Sequence, residues 1–239
     1  MNSVRDTIHQ SPPLEEWKSF YKKCSLSKNF LEVRAIKYWE RLEETISISN
    51  DYVGLDFGCA YGHLLKYMSG DMGLVYGMDI SSAMLAEARK EYGDWNNVII
   101  QEHNSPPASL HQPRFDLITV NSCVQYFSDP ELRSWLHWWI GSLSPRGYLI
   151  LSDLYPKKIK HWSNFWGMIT WGFRERCLAG VLWEFALLFR TGYFKIAHYG
   201  RDPEELISLI GESGGEALVL PENIDLLQTR YSLIAHCRS

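Results

Sequence analysis

The distribution of apolar and polar positions divides the chain into two regimes. Between residues 51 and 155, short apolar runs alternate with amphipathic stretches. "DYVGLDFG" (51–58), "GLVYGMDI" (73–80), "NVIIQ" (97–101), "FDLITVNS" (115–122) and "YLILSDL" (148–154) are near-continuous apolar runs of strand length, the pattern of strands buried on both faces. Helices are predicted between them. "GHLLKYMSG" closes at Gly70, and "SSAMLAEARKEYG" carries Ser81 or Ser82 as cap and Gly93 as stop. "SDPELRSWLHWWIGSL" opens on Asp129 with Pro130 at its first turn, and "SPRG" (144–147) reads as a turn. Upstream, residues 14–46 read as a helix with Leu31, Ile36, Trp39 and Leu42 roughly on one face. Strands separated by helices predict an α/β fold, a parallel sheet covered on both sides.

After residue 155 the alternation stops. Residues 156–200 are aromatic, apolar and basic, without strand signals. It then resumes with a helix in "RDPEELISLIGESGG", capped by Asp202 with Pro203 behind it, and two last strands, "EALVL" and "YSLIAHC". The reading is a single domain over 1–239, with an N-terminal helical cap at 1–50 and an insertion at 156–200.

Composition narrows the function classes. A net charge of −4 gives no basic footprint, so nucleic acid is not the expected partner. The five cysteines are scattered without a CxxC pair, and no His/Cys cluster has metal-ligand spacing, so a reducing, cytoplasmic setting without a structural metal is expected. The polar N-terminus has no apolar core of a signal peptide. Ten tryptophans is high for the length, and Trp162, Trp166, Trp171 and Trp183 all fall in the insertion.

The candidate chemistry begins at "LDFGCAYG" (55–62), which follows the first strand and opens a helix, the place where a doubly wound sheet binds ligands. A dinucleotide fingerprint starting at Gly58 would put its third glycine at His63; here it falls at Gly62, so that reading fails. No Gly-Lys-Ser/Thr follows, so a P-loop fails as well. Asp79 ends the second strand, 21 residues after Gly58, where a carboxylate can accept from both hydroxyls of a ribose or cap the next helix.

Asp56-Phe57-Gly58-Cys59-Ala60-Tyr61-Gly62 resembles the first motif of the class I S-adenosylmethionine-dependent methyltransferases, Asp/Glu-x-Gly-x-Gly-x-Gly, with Ala60 in place of the middle glycine. "FDLITVNSCVQYFSDP", "LSPRGYLILSD", "YGRDPEELISLIGESGGEALVL" and "RYSLIAHC" are similar to later segments of that family in the right order, and the likeness is nearest to its small-molecule branch. The resemblance implies a doubly wound, seven-stranded, mostly parallel Rossmann-like sheet with an antiparallel last strand. It also implies S-adenosylmethionine as cofactor. Gly58, Ala60 and Gly62 would line its methionine and ribose, and Asp56 would anchor the loop and the ammonium. Asp79 would take the ribose, with Ile80 and Met84 against adenine. His103 or Asn104 stands where an adenine-binding carboxylate is usual. Asn121 and Ser122 would face the sulfonium, and Arg34 would either meet the cofactor's carboxylate or be a solvated helix charge. Alanine at position 60 fits if its φ is negative, so a negative φ is expected there, with Ala60→Val weakening cofactor binding.

Methyl transfer from a sulfonium asks the protein mainly to position, dry and deprotonate, so no catalytic constellation is demanded. The candidate bases are His198, His103 and Tyr199, with Tyr126 behind them. The insertion would form an aromatic helical lid around a small apolar or aromatic acceptor, or else an oligomer contact. A peripheral membrane contact is a third possibility, because "CLAGVLWEFALLF" is flanked by Arg174, Arg176 and Arg190. The expected activity is methyl transfer to O, N or C of such an acceptor. The alternatives are a cofactor-binding protein with a non-methylating role and a membrane-associated enzyme for a lipophilic substrate.

Overall fold

The computed structural model describes residues 28–107, 114–157, 161–191 and 199–238. Seven strands, β1 (Val53–Phe57), β2 (Leu74–Asp79), β3 (Val98–Glu102), β4 (Phe115–Asn121), β5 (Leu143–Leu154), β6 (Gly215–Val219) and β7 (Tyr231–Cys237), form one sheet in the order β3-β2-β1-β4-β5-β7-β6. The first five are parallel, and β7 is antiparallel to both β5 and β6. Strand order reverses between β1 and β4, so a crevice opens at the carboxyl ends of these two strands.

The helices are α1 (Lys28–Thr45), α2 (His63–Asp71), α3 (Ser82–Tyr92), α4 (Asp129–Ser142), α5 (His161–Arg174), α6 (Leu178–Thr191) and α7 (Pro203–Glu212). Two apolar layers cover the sheet, as the continuous apolar strands require. One joins α4 and α7 to the sheet through Trp135, Leu136, Trp139, Leu206 and Ile210, with Phe57 and Trp139 rings 5.0 Å apart. The other joins α1, α2 and α3 through Tyr38, Leu42, Leu65, Met68 and Leu85.

The buried stripe of α1 differs from the expected one. Phe30, Ala35, Tyr38, Trp39 and Leu42 face inward, whereas Ile36 is among the exposed apolar residues. Ala35, Tyr38, Trp39 and Leu42 stand at i, i+3, i+4 and i+7, the regular spacing for a helix packed on one side, and Ile36 lies off that stripe. The "SPRG" segment is drawn into β5: pairing jumps from Leu143 to Tyr148 while β4 advances only from Phe115 to Leu117. Ser144 Oγ donates to Asp116 Oδ1 at 2.6 Å, which ties the irregular stretch down. The cap of α4 is Ser128, one residue before Asp129; its N–H donates to Glu131 Oε2 at 2.8 Å, a capping-box contact. Ser81 caps α3, accepting from Met84 N. The described part of the insertion is a helical hairpin, α5 and α6, resting on α1 through Phe30, Trp171 and Val181.

Candidate active site

The turn after β1 is made of left-handed backbone. Gly58, Ala60 and Gly62 have φ of 80°, 48° and 79°. Ala60 therefore contradicts the expected negative φ. Its N–H donates to Asp79 Oδ2 at 2.9 Å, and the N–H groups of Gly58 and Cys59 both turn onto Met78 O, at 2.7 and 3.1 Å. The chain must curl over the end of β2 to make these three bonds. That curl forces Ala60 into the left-handed region, at a cost of about 1–2 kcal/mol for a residue with a Cβ. At Gly58 no side chain is possible: a Cβ would lie 2.2 Å from Cys123 Sγ.

Asp79 is held from behind and open in front. Its Oδ1 accepts from Ser81 N at 2.8 Å and its Oδ2 from Ala60 N. Burial raises its pKa, and the backbone donors from Ser81, Ala60 and Ile80 oppose that rise. A carboxylate has about four acceptor positions, so capacity for two hydroxyls remains. Asp56 lies deeper, with 4% of its surface exposed. Its Oδ1 accepts from the Thr119 hydroxyl of β4 at 3.1 Å. Burial pushes its carboxyl up to about 7, with the Thr119 bond opposing and the Asp79 charge adding to the rise. A buried carboxyl in this condition is a receptor for a cation, since a positive charge nearby restores its ionised form.

Around this turn stand the other residues expected at the cofactor. Ile80 is half-buried beside Asp79, and Met84 is buried in the first turn of α3. His103 donates its N–H to Asp79 O at 3.2 Å, and its ring lies 3.4 Å from Gln101 Oε1; Asn104 is exposed. The structure thus gathers Asp56, Gly58, Ala60, Gly62, Asp79, Ile80, Met84 and His103 at the carboxyl ends of β1, β2 and β3. His103 follows β3, three strands from β4 in the sheet order, or about 14 Å by the ordinary strand spacing.

The ends of β4 and β5 hold a different constellation. Asn121 Nδ2 donates to Asp225 Oδ2 at 2.7 Å, and Ser122, at φ 54°, donates its hydroxyl to Asp153. Arg34 is not the solvated helix charge that was one of the two expectations for it. Its Nε donates to Asp225 Oδ1 at 2.9 Å, and its Nη2 contacts Ser122 Oγ at 2.6 Å and Asp153 Oδ2 at 3.3 Å. The guanidinium is committed to protein carboxylates, because α1 crosses the strand ends where two buried acids need a counter-charge. Arg230 pairs with Asp153 from the other side and stacks on the Tyr155 ring, 3.8 Å from its centroid. Burial alone would raise Asp225; the charge and hydrogen bonds of Arg34 outweigh it and hold that carboxyl low. Asp153 stays raised, since burial and the Asp225 charge exceed what Arg230 and Arg34 return. Tyr38 donates to or accepts from Ser152 Oγ at 2.9 Å at the edge of the cluster.

Asp153, Asp225, Arg230 and Tyr38 were not singled out by sequence reasoning. Asp153 had a signal, an acid at the end of an apolar strand like Asp79; Asp225 and Arg230, in the β6–β7 connection, had none. Of the candidate bases, Tyr199 lies near this end, donating its N–H to Gln125 O at 2.9 Å. Its ring lies under Arg201. Tyr126 lies in the single helical turn after β4. His198 lies outside the described residues. Two buried oxygens here, Gln125 Oε1 and Asp153 Oδ1, have no hydrogen-bond partner among the described residues.

Comparison with known proteins agrees with this geometry. Residues 55–147 match the family described as "Methyltransferase domain". The likeness to a methyltransferase domain thus covers residues 55–147, less than half of the chain. The match begins at the β1 strand that leads into the left-handed turn and runs through β4 and α4 into β5. A curated relative, the ubiquinone biosynthesis O-methyltransferase of Histophilus somni (strain 2336), is 30% identical over 115 residues, 46% of this chain and 47% of that protein. The chain thus aligns with about half the length of that relative. Two solved structures share the fold. A TehB-like SAM-dependent methyltransferase from Corynebacterium glutamicum has a TM-score of 0.56 at 12% identity, covering 84% of this chain and 88% of its own. The magnesium protoporphyrin IX methyltransferase ChlM from Synechocystis, solved with bound SAH, has a TM-score of 0.53 at 17% identity, covering 94% of each chain. S-adenosylmethionine is the cofactor of this domain class, and the residues present fit it: a carboxylate with spare acceptor positions for a ribose, and a buried carboxyl suited to an ammonium.

Proposed function

We propose that this protein transfers the methyl group of S-adenosylmethionine to a small, largely apolar or aromatic acceptor. The observation that carries the reading is the left-handed Gly58–Gly62 turn pinned to Asp79, with Asp56 buried beneath it, at the switch point of the sheet. In this reading Asp79 holds the ribose, Asp56 the ammonium, and Ile80 and Met84 the adenine. His103 serves the adenine side, since its strand is remote from β4. The bound cofactor supplies an activated methyl group on a sulfonium. What remains for the chain is to align the acceptor, exclude water and hold its proton.

The acceptor belongs over β4 and β5, under the hairpin of α5 and α6. The aromatic inner side of that hairpin supports an apolar or aromatic acceptor, and the curated relative's name supports oxygen as the receiving atom. Gln125 Oε1 and Asp153 Oδ1 offer buried acceptors for a hydroxyl or amine proton on it. Tyr199 and His198, which neighbour each other in sequence, are the assigned candidates for proton removal. The scattered thiols, four of them unpaired in the described residues, support a cytoplasmic setting.

Calorimetry with S-adenosylmethionine and its demethylated product tests the binding, and transfer of labelled methyl to a panel of phenols and catechols tests the chemistry. Binding of both, weakened in Asp79→Ala, is expected. If neither binds and Asp79→Ala changes nothing, the reading is lost; binding without any labelled product would point to a non-methylating use of the site.

A further inference from the structure

The hairpin of α5 and α6 is apolar on its outer side as well as its inner one. Its inner face packs on α1 through Trp171, Cys177 and Val181, with Phe30 edge-on to Trp171 at 5.8 Å. The outer face of such a helix pair is normally polar. Here Trp166 and Phe173, seven residues apart on α5, are 60% and 76% exposed, and on α6 Leu182, Trp183 and Phe189 are 51%, 57% and 72% exposed. Ala179 and Ala186 fill the α6 stripe between them. The acid of α6, Glu184, is turned inward and 4% exposed. Five of the nine exposed large apolar residues in the described chain lie on this one hairpin; the other four are spread over α1, the α3–β3 connection and edge strand β6. Exposed large apolar residues concentrated on one element mark an interaction surface.

The charges around it select the partner. Arg174 and Arg176 sit at the hairpin turn and Arg190 at the far end of α6, all exposed. The acid in that turn, Glu175, is half-buried and already bonded to Arg174 at 2.8 Å and near Lys37 at 3.8 Å. A chain of net charge −4 thus presents a positive rim around an aromatic face. A second copy docked on the same face about a twofold axis would bring arginines to arginines. Neither hairpin helix is long and apolar enough to cross a membrane; 14 residues make α6 only about 21 Å long, short of the ~30 Å of hydrocarbon. Tryptophan and arginine together suit the headgroup level.

We propose that the outer face of the α5–α6 hairpin docks flat on an anionic phospholipid bilayer, with Trp166, Phe173, Trp183 and Phe189 entering the headgroup boundary and Arg174, Arg176 and Arg190 on the phosphates. The inner side of the same hairpin meets the connection that carries Asp225, through Leu226 and through Gly167 against Leu227. If the proposed methyl transfer holds, lipid contact and acceptor side are therefore two faces of one element.

The test is flotation of the full chain with vesicles of phosphatidylcholine alone and of an equal mixture with phosphatidylglycerol, without cofactor, so that it stands apart from the methyl-transfer reading. Association with the mixed vesicles, a blue shift of tryptophan emission and loss of association at high salt are expected. Phe173→Ser with Trp183→Ser should abolish association while circular dichroism and the unfolding midpoint stay unchanged. Each arginine replaced by glutamine should lower partitioning about fivefold. A wild-type chain that floats with neither vesicle overturns the proposal. So does a wild-type dimer that the double serine variant splits while vesicles have no effect, because a second copy then covers the face.

Discussion

Asp56 is the residue whose titration reports most directly on the cofactor site. Its carboxyl is 4% exposed, and burial pushes it up from its ordinary 3.8 to about 7. Each unit is worth 1.36 kcal/mol, so keeping the carboxyl neutral contributes about 4 kcal/mol to the stability of the cofactor-free protein. The sign follows from the raised value: the contribution is whole below about pH 4 and is lost as pH climbs through about 7. A cation beside Asp56 binds the ionised form. Binding then releases a proton wherever the free protein holds one. At about pH 5.5 a group titrating near 7 is ionised in roughly one molecule in thirty, so affinity for S-adenosylmethionine should be about thirtyfold weaker there than at about pH 8. Isothermal titration in buffers of different ionisation enthalpy measures both the affinity and the proton released. The Asp56→Asn variant keeps an acceptor for Thr119 and removes the titration, so the part of the slope owed to Asp56 should disappear from it. A wild-type affinity flat between the two pH values, or the same slope in the asparagine variant, would refute the placement of a cation at Asp56.

Three further outcomes are expected. Asp79→Ala removes the acceptor for the Ala60 and Ser81 N–H groups as well as the ribose contacts; at about 1.5–3 kcal/mol per bond to a charged acceptor, calorimetry should show cofactor affinity reduced at least tenfold with the circular dichroism spectrum retained. At the left-handed position 60, Ala60→Gly should raise stability in thermal unfolding by up to about 1 kcal/mol, the relieved strain less the extra chain entropy of glycine, while Ala60→Val lowers both stability and cofactor affinity. Arg34→Met strands Asp225 and Asp153 without one of their counter-charges and should cost about 3–5 kcal/mol in denaturant titration; Arg34→Lys should recover only part, since one ammonium cannot replace the forked contact.

Sequence periodicity disclosed the strands because buried parallel strands are apolar along most of their length, as β1, β4 and the second half of β5 are. The turn after β1 and Asp79 were legible for a related reason: a ligand loop has to lie next to a strand end, and the spacing of glycines and acids survives in one dimension. The conformation of Ala60 was not. It depends on three hydrogen bonds to the end of β2, and nothing in "GCAYG" states where its N–H groups point. The partners of Arg34 were hidden for a similar cause. Its partners lie 119 and 191 residues downstream, on strands and loops whose juxtaposition only the sheet order 1-4-5-7 creates. The apolar outer side of α6 was partly legible, in the arginines flanking "CLAGVLWEFALLF", but that Glu184 turns inward needed the packing against α1.

The carboxyl edge of the sheet divides into two electrostatic halves, and the division suits the proposed reaction. Over β1 to β3 the acids Asp56 and Asp79 have backbone or hydroxyl donors, and among the described residues no cationic side chain is bonded to them. This half has uncompensated acceptor capacity for a positively charged ligand. Over β4, β5 and β7 the four charges Arg34, Asp153, Asp225 and Arg230 cancel one another within a single hydrogen-bonded cluster. A methyl group leaving a sulfonium for a neutral acceptor disperses charge as it moves, so water or a fixed net charge on the acceptor side would favour the ground state over the transition state. A neutral, closed cluster avoids both. The energetic cost of burying four charges is then understandable as the means of closing α1 and the β6–β7 connection over the acceptor side without leaving a field there.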